Sequence, residues 1–323
     1  MRTWHTACLA AMLAVLALAA AGASAASHHT RRHARPQGAG PPEEFGCPIL
    51  PAADPLNQEV ASLPASPQSE SYVASIGLTA HLHPDFGTNP SYGIPYTVVG
   101  AGQAKVPIKF NKYGSESDPG PYPIPANAPI EGGGKNGHGD RHVLVAQEGS
   151  CTLYELYLAH RKRKGKSWTA GSGAVFNLRS SALRPEGWTS ADAAGLPIFP
   201  LLARYPEVAG GQIDHALRVT VPQSQRGYIH PAVHFASSRT NPALPPMGLR
   251  LRLKAGYSLS GFHGQSLVIL EALKRFGLIV ADNGSPWFIT GAPNPGWNDE
   301  DLEQIKRVPG SEFEAVETGP IIH

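Results

Sequence analysis

The sequence has little cysteine, no excess of either charge and only one long apolar run. Only 3 of its 323 residues are cysteine, and Cys47 and Cys151 are the two that follow the N-terminal apolar run. Two isolated thiols argue against a structural zinc site. Lys and Arg number 27 against 25 Asp and Glu, a balance that argues against a dedicated nucleic-acid binder. Beyond residue 26 no stretch is apolar and long enough to predict a transmembrane segment.

Motifs for phosphate, dinucleotide and nucleophile chemistry are also missing. No glycine cluster lies between a strand and a helix as a phosphate loop or a dinucleotide fold requires. Gly171-Ser172-Gly173 lacks the spacing of a nucleophile elbow, and Ser190 is more simply a cap for the short turn that follows. The sequence therefore predicts no cofactor.

Two histidines are spaced four residues apart, as metal ligands often are. Pro231 between His230 and His234 disfavours a helix, although the pair would still share one face of a strand. Zinc would need a third ligand, for which Glu155 and His215 are the candidates. We predict loop histidines with ordinary hydrogen bonds and no bound metal.

Residues 1–26 have the pattern of a secretory signal. Arg2 supplies the positive start, Ala7 to Ala21 is a short alanine-rich apolar run, and Ala23-Ser24-Ala25 is a suitable cleavage site. Cys8 lies at the start of the run rather than after it, so no lipid anchor is predicted. The mature chain is expected to be secreted, either extracellular or periplasmic.

The rest of the chain divides by composition. Residues 27–44 form a basic Pro- and Gly-containing leader that we expect to be flexible, residues 45–318 a single β-rich domain, and residues 319–323 a tail. In an oxidising compartment Cys47 and Cys151 are expected to form a disulfide, the alternative being two free thiols.

The body of the chain is predicted to be mainly β, because 35 Gly and 31 Pro suit many short strands joined by turns. The predicted strands, apart from one hairpin, are Ile94–Val99, Val106–Phe110, Ser167–Ala170, Ala174–Leu178, His215–Val221, Leu249–Leu253, Leu278–Ala281 and Trp287–Thr290. In the strand Leu249–Leu253, Leu alternates with Arg, which predicts one face in water. Helices are predicted at Ser266–Phe276, ended by Gly277, and after the N-cap Asn298. We expect a monomeric β-sandwich, jelly-roll or concanavalin-like, with a few short helices.

A hairpin places a carboxylate on an apolar strand face. The strands His142–Gln147 and Cys151–Tyr157 are joined across Gly149-Ser150, which sets Leu144 opposite Glu155 and His142 opposite Tyr157. By alternation Asp140 shares this face. An unpaired carboxylate among leucines is costly, so Glu155 must be hydrogen-bonded, paired with a cation or held for chemistry.

The catalytic candidates are Asp140, His142, Glu155 and His215. Glu155 would act as acid or base with His142 as its partner, and His215 would join them if its strand is a neighbour. The candidate substrate contacts are Arg141, Tyr157, Trp168 and Trp188. The alternative is a satisfied polar cluster, in which Arg141 or a backbone amide holds Glu155 and His215 is a core residue bonded to a carbonyl.

Four motifs resemble a family of exported β-rich proteins common in soil actinobacteria and proteobacteria. They are Gly139-Asp140-Arg141-His142, Leu153-Tyr154-Glu155-Leu156-Tyr157, the segment Thr189 to Pro197 (TSADAAGLP), and Ile213-Asp214-His215-Ala216-Leu217. The resemblance covers most of the mature chain. It implies that Asp140, His142, Glu155 and His215 match positions that recur in the family, but it implies no reaction.

These observations together predict a carbohydrate-active protein. As an enzyme it would be a glycoside hydrolase or polysaccharide lyase, with a polysaccharide or cell-wall glycan as its partner. The alternatives are a non-catalytic carbohydrate- or wall-binding module and a structural envelope protein. The basic run Arg161-Lys162-Arg163-Lys164 is interpreted as a solvated loop, with contact to an acidic polymer as its alternative.

Overall fold

The computed structural model describes residues 41–134, 137 and 139–323. The predicted signal and all of the leader up to residue 40 lie outside the described residues. Within them the chain is mainly β, with several sheets and few short helices. None of the helices in these ranges has the length and hydrophobicity that a bilayer span requires.

In the described part of the chain, fifteen strands and four α-helices are accompanied by short 3-10 turns. The strands are β1 (Glu43–Glu44), β2 (Cys47–Pro48), β3 (His83–Asp85), β4 (Tyr96–Val99), β5 (Ile108–Phe110), β6 (Val143–Gln147), β7 (Thr152–Tyr157), β8 (His160–Lys162), β9 (Ser167–Ala170), β10 (Ser172–Asn177), β11 (Leu217–Val221), β12 (Arg250–Leu253), β13 (Leu278–Asn283), β14 (Phe288–Thr290) and β15 (Phe313–Val316). The helices are α1 (Ser69–Ile76), α2 (Tyr205–Ala209), α3 (Gly264–Arg275) and α4 (Asp299–Leu302). The 3-10 turns are Pro55–Asn57, Gly114–Glu116, Arg163–Gly165, Phe199–Leu201, Glu303–Arg307 and Gly310–Glu312.

The strands form four sheets of mixed direction. The largest has the order β15-β12-β13-β11-β14-β3, the second β10-β7-β6-β4, the third β5-β9-β8, and β1 pairs with β2. Parallel pairs occur in the three larger sheets: β11 with β13, β14 with β3, β4 with β6 and β5 with β9. The jelly-roll or concanavalin-like sandwich stays a prediction.

The β6–β7 hairpin has the predicted register. Leu144 lies opposite Glu155 and Gln147 opposite Thr152. Leu144 and Leu153 belong to the larger hydrophobic core, whereas Val143 and its face neighbours belong to a smaller core on the other side. The hairpin is therefore covered on both faces, and Glu155 projects into the larger core.

The two predicted helices are confirmed as α3 and α4. Gly277, at φ +69°, terminates α3, and its amide donates to the Ala272 carbonyl at 3.1 Å. The Asn298 side chain accepts the Asp301 amide at 3.0 Å, as an N-cap does. Sequence periodicity missed α1 and α2, which are short.

The prediction that one face of β12 lies in water is wrong. Arg250 is buried, and its guanidinium donates to the carbonyls of Pro55 (2.8 Å) and Phe276. Arg252 donates to the Val60 carbonyl at 2.6 Å and pairs with Glu314. Backbone carbonyls of residues 55–63 and of Phe276, at the end of α3, cover this face, so Arg250 and Arg252 bind backbone oxygens instead of water.

Both ends of the described chain are attached to its body. The predicted disulfide is confirmed, with Cys47 and Cys151 bonded and fully buried. Glu43 and Glu44, which the composition assigned to the leader, instead form β1. In the predicted tail, the Ile322 amide donates to the Tyr228 carbonyl at 2.8 Å.

Candidate functional site

A cavity of about 390 Å³ opens at the ends of β7, β10 and β13. Its lining is polar and comes from separate parts of the chain. The lining residues are Tyr113, Asp140, Tyr157, Ser172, Thr189, Ser190, Ala191, Asp192, Ala193, His234, Phe235, Ala236, Asp282 and Asn283. Of the predicted site residues, the structure brings Asp140 and Tyr157 together here.

Asp282 is a partly exposed carboxyl at the end of β13, with 24 % of its side chain accessible. The Asn283 amide donates to Oδ1 at 2.7 Å, and Nη2 of Arg218 to Oδ2 at 3.3 Å. Burial raises the pKa of Asp282 to about 7, with Arg218 opposing the rise and the carboxylates of Asp192 and Asp140 adding to it. This carboxyl therefore holds a proton near neutral pH while still reaching the cavity.

Asp192 lies beneath the cavity and is closed off from solvent. Its carboxylate accepts hydrogen bonds from Nε and Nη2 of Arg218 at 2.8 and 3.1 Å, and from the Ala193 amide at 2.9 Å. A third Arg218 nitrogen, Nη1, donates to Thr290 Oγ1 at 2.9 Å. Because this pair is fully hydrogen-bonded, Asp192 and Arg218 form a fixed base to the site rather than a group that meets a ligand.

Aromatic rings form part of the cavity wall. Tyr113 is 43 % exposed, and Tyr157 and Phe235 are half-buried. Burial raises the pKa of Tyr157, with the exposed Asp140 carboxylate adding to the rise. The Phe235 ring stacks against His234 with centroids 5.6 Å apart. The cavity thus combines two carboxyls that reach solvent with flat apolar surfaces.

His234 lines the cavity. Its Nδ1 donates a hydrogen bond to the Ala193 carbonyl at 2.7 Å. His230 lies elsewhere, 2.7 Å from the Glu186 carboxylate. Among the described residues, no group of three His, Cys, Asp or Glu side chains is arranged to hold a metal ion.

His142 is buried behind the cavity and not within it. Nδ1 lies 2.6 Å from Glu131 Oε2, and Nε2 lies 3.0 Å from the Ala191 carbonyl, so both ring nitrogens face acceptors. Burial by itself lowers the pKa of His142. The charge and hydrogen bond of Glu131 together outweigh burial and raise the pKa to about 9. The imidazolium is thereby fixed in a closed pair, which corrects the prediction that His142 is the proton-transfer partner of Glu155.

Glu155 has no access to a ligand. Its side chain is fully buried, the Ile198 amide donates to both oxygens at 3.0 Å, and the Phe199 amide donates to Oε1 at 2.9 Å. Burial raises the pKa of Glu155 to about 7, although the two amides lower it. The predicted acid or base role is therefore corrected: Glu155 joins β7 to the segment Ile198–Phe199, which is the alternative that sequence left open.

His215 belongs to a different buried cluster. Its Nε2 lies 3.2 Å from the Glu207 carboxylate, and its Nδ1 lies 2.8 Å from the Ala216 carbonyl. Arg204 donates to Glu207 at 2.5 Å in the same cluster. His215 is a satisfied core histidine and does not line the cavity, so its predicted catalytic role is corrected.

Three predicted substrate contacts also lie outside the cavity. Arg141 is buried and donates to the carbonyls of Ala159 (3.2 Å) and Gly137 (2.7 Å). Trp168 is buried in the smaller core, and Trp188 is half-buried beside Arg184. Each of these side chains supports the fold locally.

Sequence reasoning missed Asp282, Arg218 and Glu131. A signal existed for the first two: Asp282 ends an apolar strand, and Arg218 interrupts one between Leu217 and Val219. Nothing local marks Glu131, which reaches His142 from a loop. Comparison of the chain with protein-family models, with curated proteins and with solved structures found no match.

Proposed function

We propose that this protein is an exported carbohydrate-active enzyme that hydrolyses glycosidic bonds, with Asp282 as the general acid. The observation that carries the proposal is a carboxyl whose pKa is raised to about 7 and which still opens into a cavity. A general acid must hold its proton at the working pH and deliver it to the leaving oxygen. The raised pKa of Asp282 and its place in the cavity lining support it in this role.

Asp140 supplies the second carboxylate that glycoside hydrolysis needs. It is exposed, lines the same cavity and acts electrostatically on both Asp282 and Tyr157. Paired carboxylates with different environments divide the acid role from the base or nucleophile role. Asp140 is the candidate for the latter.

The aromatic wall supports a sugar as the ligand. Tyr113, Tyr157 and Phe235 present rings beside the two carboxyls. Sugar rings stack on such surfaces through their C–H faces, and the tyrosine hydroxyls supply polar contacts. An enzyme for small charged metabolites would not need this wall.

Hydrolysis is favoured over polysaccharide lysis by the charge of the cavity. A lyase must neutralise the carboxylate of a uronate, whereas the Asp140 carboxylate would repel it and a protonated Asp282 supplies no positive charge. Among the described residues, no Lys or Arg lines the cavity, and Arg218 behind it is already held by Asp192. The substrate at the cleavage position is therefore a neutral or amino sugar.

Location and architecture belong to the same proposal. Export is supported by the apolar N-terminal run and by the disulfide between Cys47 and Cys151. A two-layer sandwich is supported by the larger core, to which both the four-stranded and the six-stranded sheets contribute. The resemblance to exported β-rich bacterial proteins agrees with both points.

The test is a screen of the mature protein against neutral and amino polysaccharides, read as new reducing ends. Asp282→Asn should lower turnover on a responsive polymer by about 10²–10⁴-fold while binding is kept. Glu148→Gln, an exposed carboxyl change at the β6–β7 turn, is the matched control and should leave turnover unchanged.

Two outcomes contradict the proposal. If the protein binds a glycan but releases no new ends, it is a binding module and not an enzyme. If Asp282→Asn unfolds at the same temperature as the parent and cleaves as fast, Asp282 is not the acid.

A further inference from the structure

A second feature of the surface is unrelated to the cavity. Six of the seven residues from 160 to 166 are basic, and all six are exposed. They are His160, Arg161, Lys162, Arg163, Lys164 and Lys166. The segment comprises the strand β8, which is the edge of the three-stranded sheet, and the turn that follows it.

The sheet register adds a further lysine from a distant part of the chain. His160 lies opposite Thr169, and Thr169 lies opposite Lys109 on the far strand β5. Residues opposite one another share a face, so Lys109 and His160 project to the same side, as does Lys162 by alternation. We call Lys109, His160, Lys162, Arg163, Lys164 and Lys166 the basic strip.

Arg161 marks the other face of the same strand. It lies opposite Trp168, with its guanidinium carbon 5.3 Å from the ring centroid, and Nη2 donates to the Ala128 carbonyl at 2.8 Å. Arg161 therefore anchors β8 to the smaller core. Lys109, His160 and Lys162 face away from that core.

The charges of the basic strip are not neutralised locally. Within the described ranges, none of its side chains forms an ion pair with a carboxylate. Burial lowers the pKa of His160, and the cations of Arg141 and Lys162 lower it further, so its charged neighbours are positive. A concentration of like charge without partners is costly unless a ligand of opposite charge binds.

The turn that carries the strip has an unfavourable backbone. Arg163 and Lys164 have φ of 47° and 56°, a region that L-residues with long side chains rarely adopt. Gly165 follows, and a Cβ there would lie 2.5 Å from the Ala126 Cα, so the turn is fixed tightly against the body. Strain kept in place at a charged surface points to a function.

We propose that the basic strip binds an anionic polysaccharide through the carboxylates of uronate residues. A polymer matches a row of cations that extends across two strands and a turn, and Arg and Lys bind carboxylates by charge-assisted hydrogen bonds. Between the cations the strip presents Ser167 and Thr169 rather than aromatic rings, so it has no platform for stacking nucleic-acid bases.

The strip and the cavity have opposite charge preferences. Among the described residues, the cavity lining carries the Asp140 carboxylate and no Lys or Arg, so a polyuronate that binds the strip is not the chain that is cleaved. The strip would hold the protein on an anionic matrix while the cavity acts on a different polymer. This binding site is independent of the proposed hydrolysis.

The experiment is affinity electrophoresis and titration of the mature protein with polygalacturonate, with its fully methyl-esterified form as the uncharged probe. The triple variant Lys109→Gln, Lys162→Gln, Lys166→Gln should bind polygalacturonate at least about tenfold more weakly. The matched triple variant Arg239→Gln, Lys254→Gln, Lys306→Gln changes the net charge equally on other segments and should bind as the parent does. The parent's affinity should fall steeply with added salt.

The proposal is overturned if the strip variant binds like the parent, if both triple variants lose affinity equally, or if the methyl-esterified polymer binds as well as the charged one. Thermal unfolding checks that both sets of substitutions leave the fold intact. Asp282→Asn should still bind polygalacturonate, and the strip variant should still cleave a short oligosaccharide that the parent cleaves, so each proposal can fail separately.

Discussion

Arg218 and Asp192 form a bidentate ion pair, with Nε 2.8 Å from Oδ2 and Nη2 3.1 Å from Oδ1. The same Nη2 is 3.3 Å from Asp282, so most of the cationic charge is directed to Asp192. This unequal sharing explains how a carboxyl beside a guanidinium keeps a raised pKa. Asp192 stays a buried anion, and Asp282 becomes the carboxyl that can carry a proton to a ligand.

The alkaline limit of activity should report the proton on Asp282. Turnover requires the protonated acid and should fall as the pH rises above about 7. Asp140 is a nearby carboxylate that disfavours ionisation of Asp282, so Asp140→Asn should move this limit to lower pH. The measurement is kcat/KM against pH on the responsive polymer, using the residual activity of the variant. An unmoved or more alkaline limit would show that Asp140 does not act on the acid.

Glu155 should matter for stability and not for turnover. In Glu155→Gln the side-chain amide meets two backbone N–H groups, so we expect a loss of about 1–2 kcal/mol at pH 5. The folded-state pKa of Glu155 lies above its ordinary value of 4.5. The stability that the protonated carboxyl contributes is therefore fully present below about pH 4.5 and is lost as the pH rises through about 7. The difference between parent and variant should therefore shrink at pH 8.

Urea unfolding at pH 5 and pH 8, together with turnover per folded molecule, tests this role. A variant that is as stable as the parent at both pH values but has lost turnover would show that Glu155 takes part in catalysis.

His142 should make the folded state less stable above neutral pH. Its folded-state pKa of about 9 exceeds the ordinary value of 6.5, so its contribution is complete below about 6.5 and is lost as the pH rises to about 9. The parent should lose on the order of 2–3 kcal/mol of unfolding free energy over this range. The variant His142→Gln should have a lower free energy of unfolding at pH 6, and that free energy should change less as the pH rises.

Chemical unfolding from pH 6 to pH 9.5 measures the effect. His230→Gln, at an exposed histidine, is the control and should keep the parent's slope. Equal slopes in the parent and His142→Gln would mean that the pair with Glu131 does not set this dependence.

The disulfide should be a main source of stability. Cys47 and Cys151 are 104 residues apart, and closing a loop of that length contributes about 4–5 kcal/mol in the chain-entropy model. The double variant Cys47→Ala, Cys151→Ala should unfold roughly 10 °C below the parent. Calorimetry at one pH and one scan rate checks this, and a shift below 2 °C would show that the unfolded chain is already restrained.

Local patterns determined those parts of the fold that depend on neighbouring residues. Alternation and the Gly149-Ser150 turn specified the register that sets Leu144 opposite Glu155, because side-chain faces repeat every two residues. The leucine stripe and Gly277 specified α3, and Asn298 specified the start of α4, since capping is a contact within one turn. The same patterns predicted that Glu155 points inward, but not what meets it there.

Sequence by itself thus determined the hairpin, the end of α3 and the start of α4, the pairing of the only two cysteines that follow the apolar run, and the concentration of basic residues after β7. Only the tertiary structure decided which charged groups meet. Glu155 is bound by the amides of Ile198 and Phe199, His142 by Glu131, and Asp282 is brought beside Arg218 by the placement of β13 next to β11. Except for Glu131, which lies 11 residues before His142, these partners lie far apart along the chain. Strand order across a sheet is set by long-range packing that no local periodicity encodes.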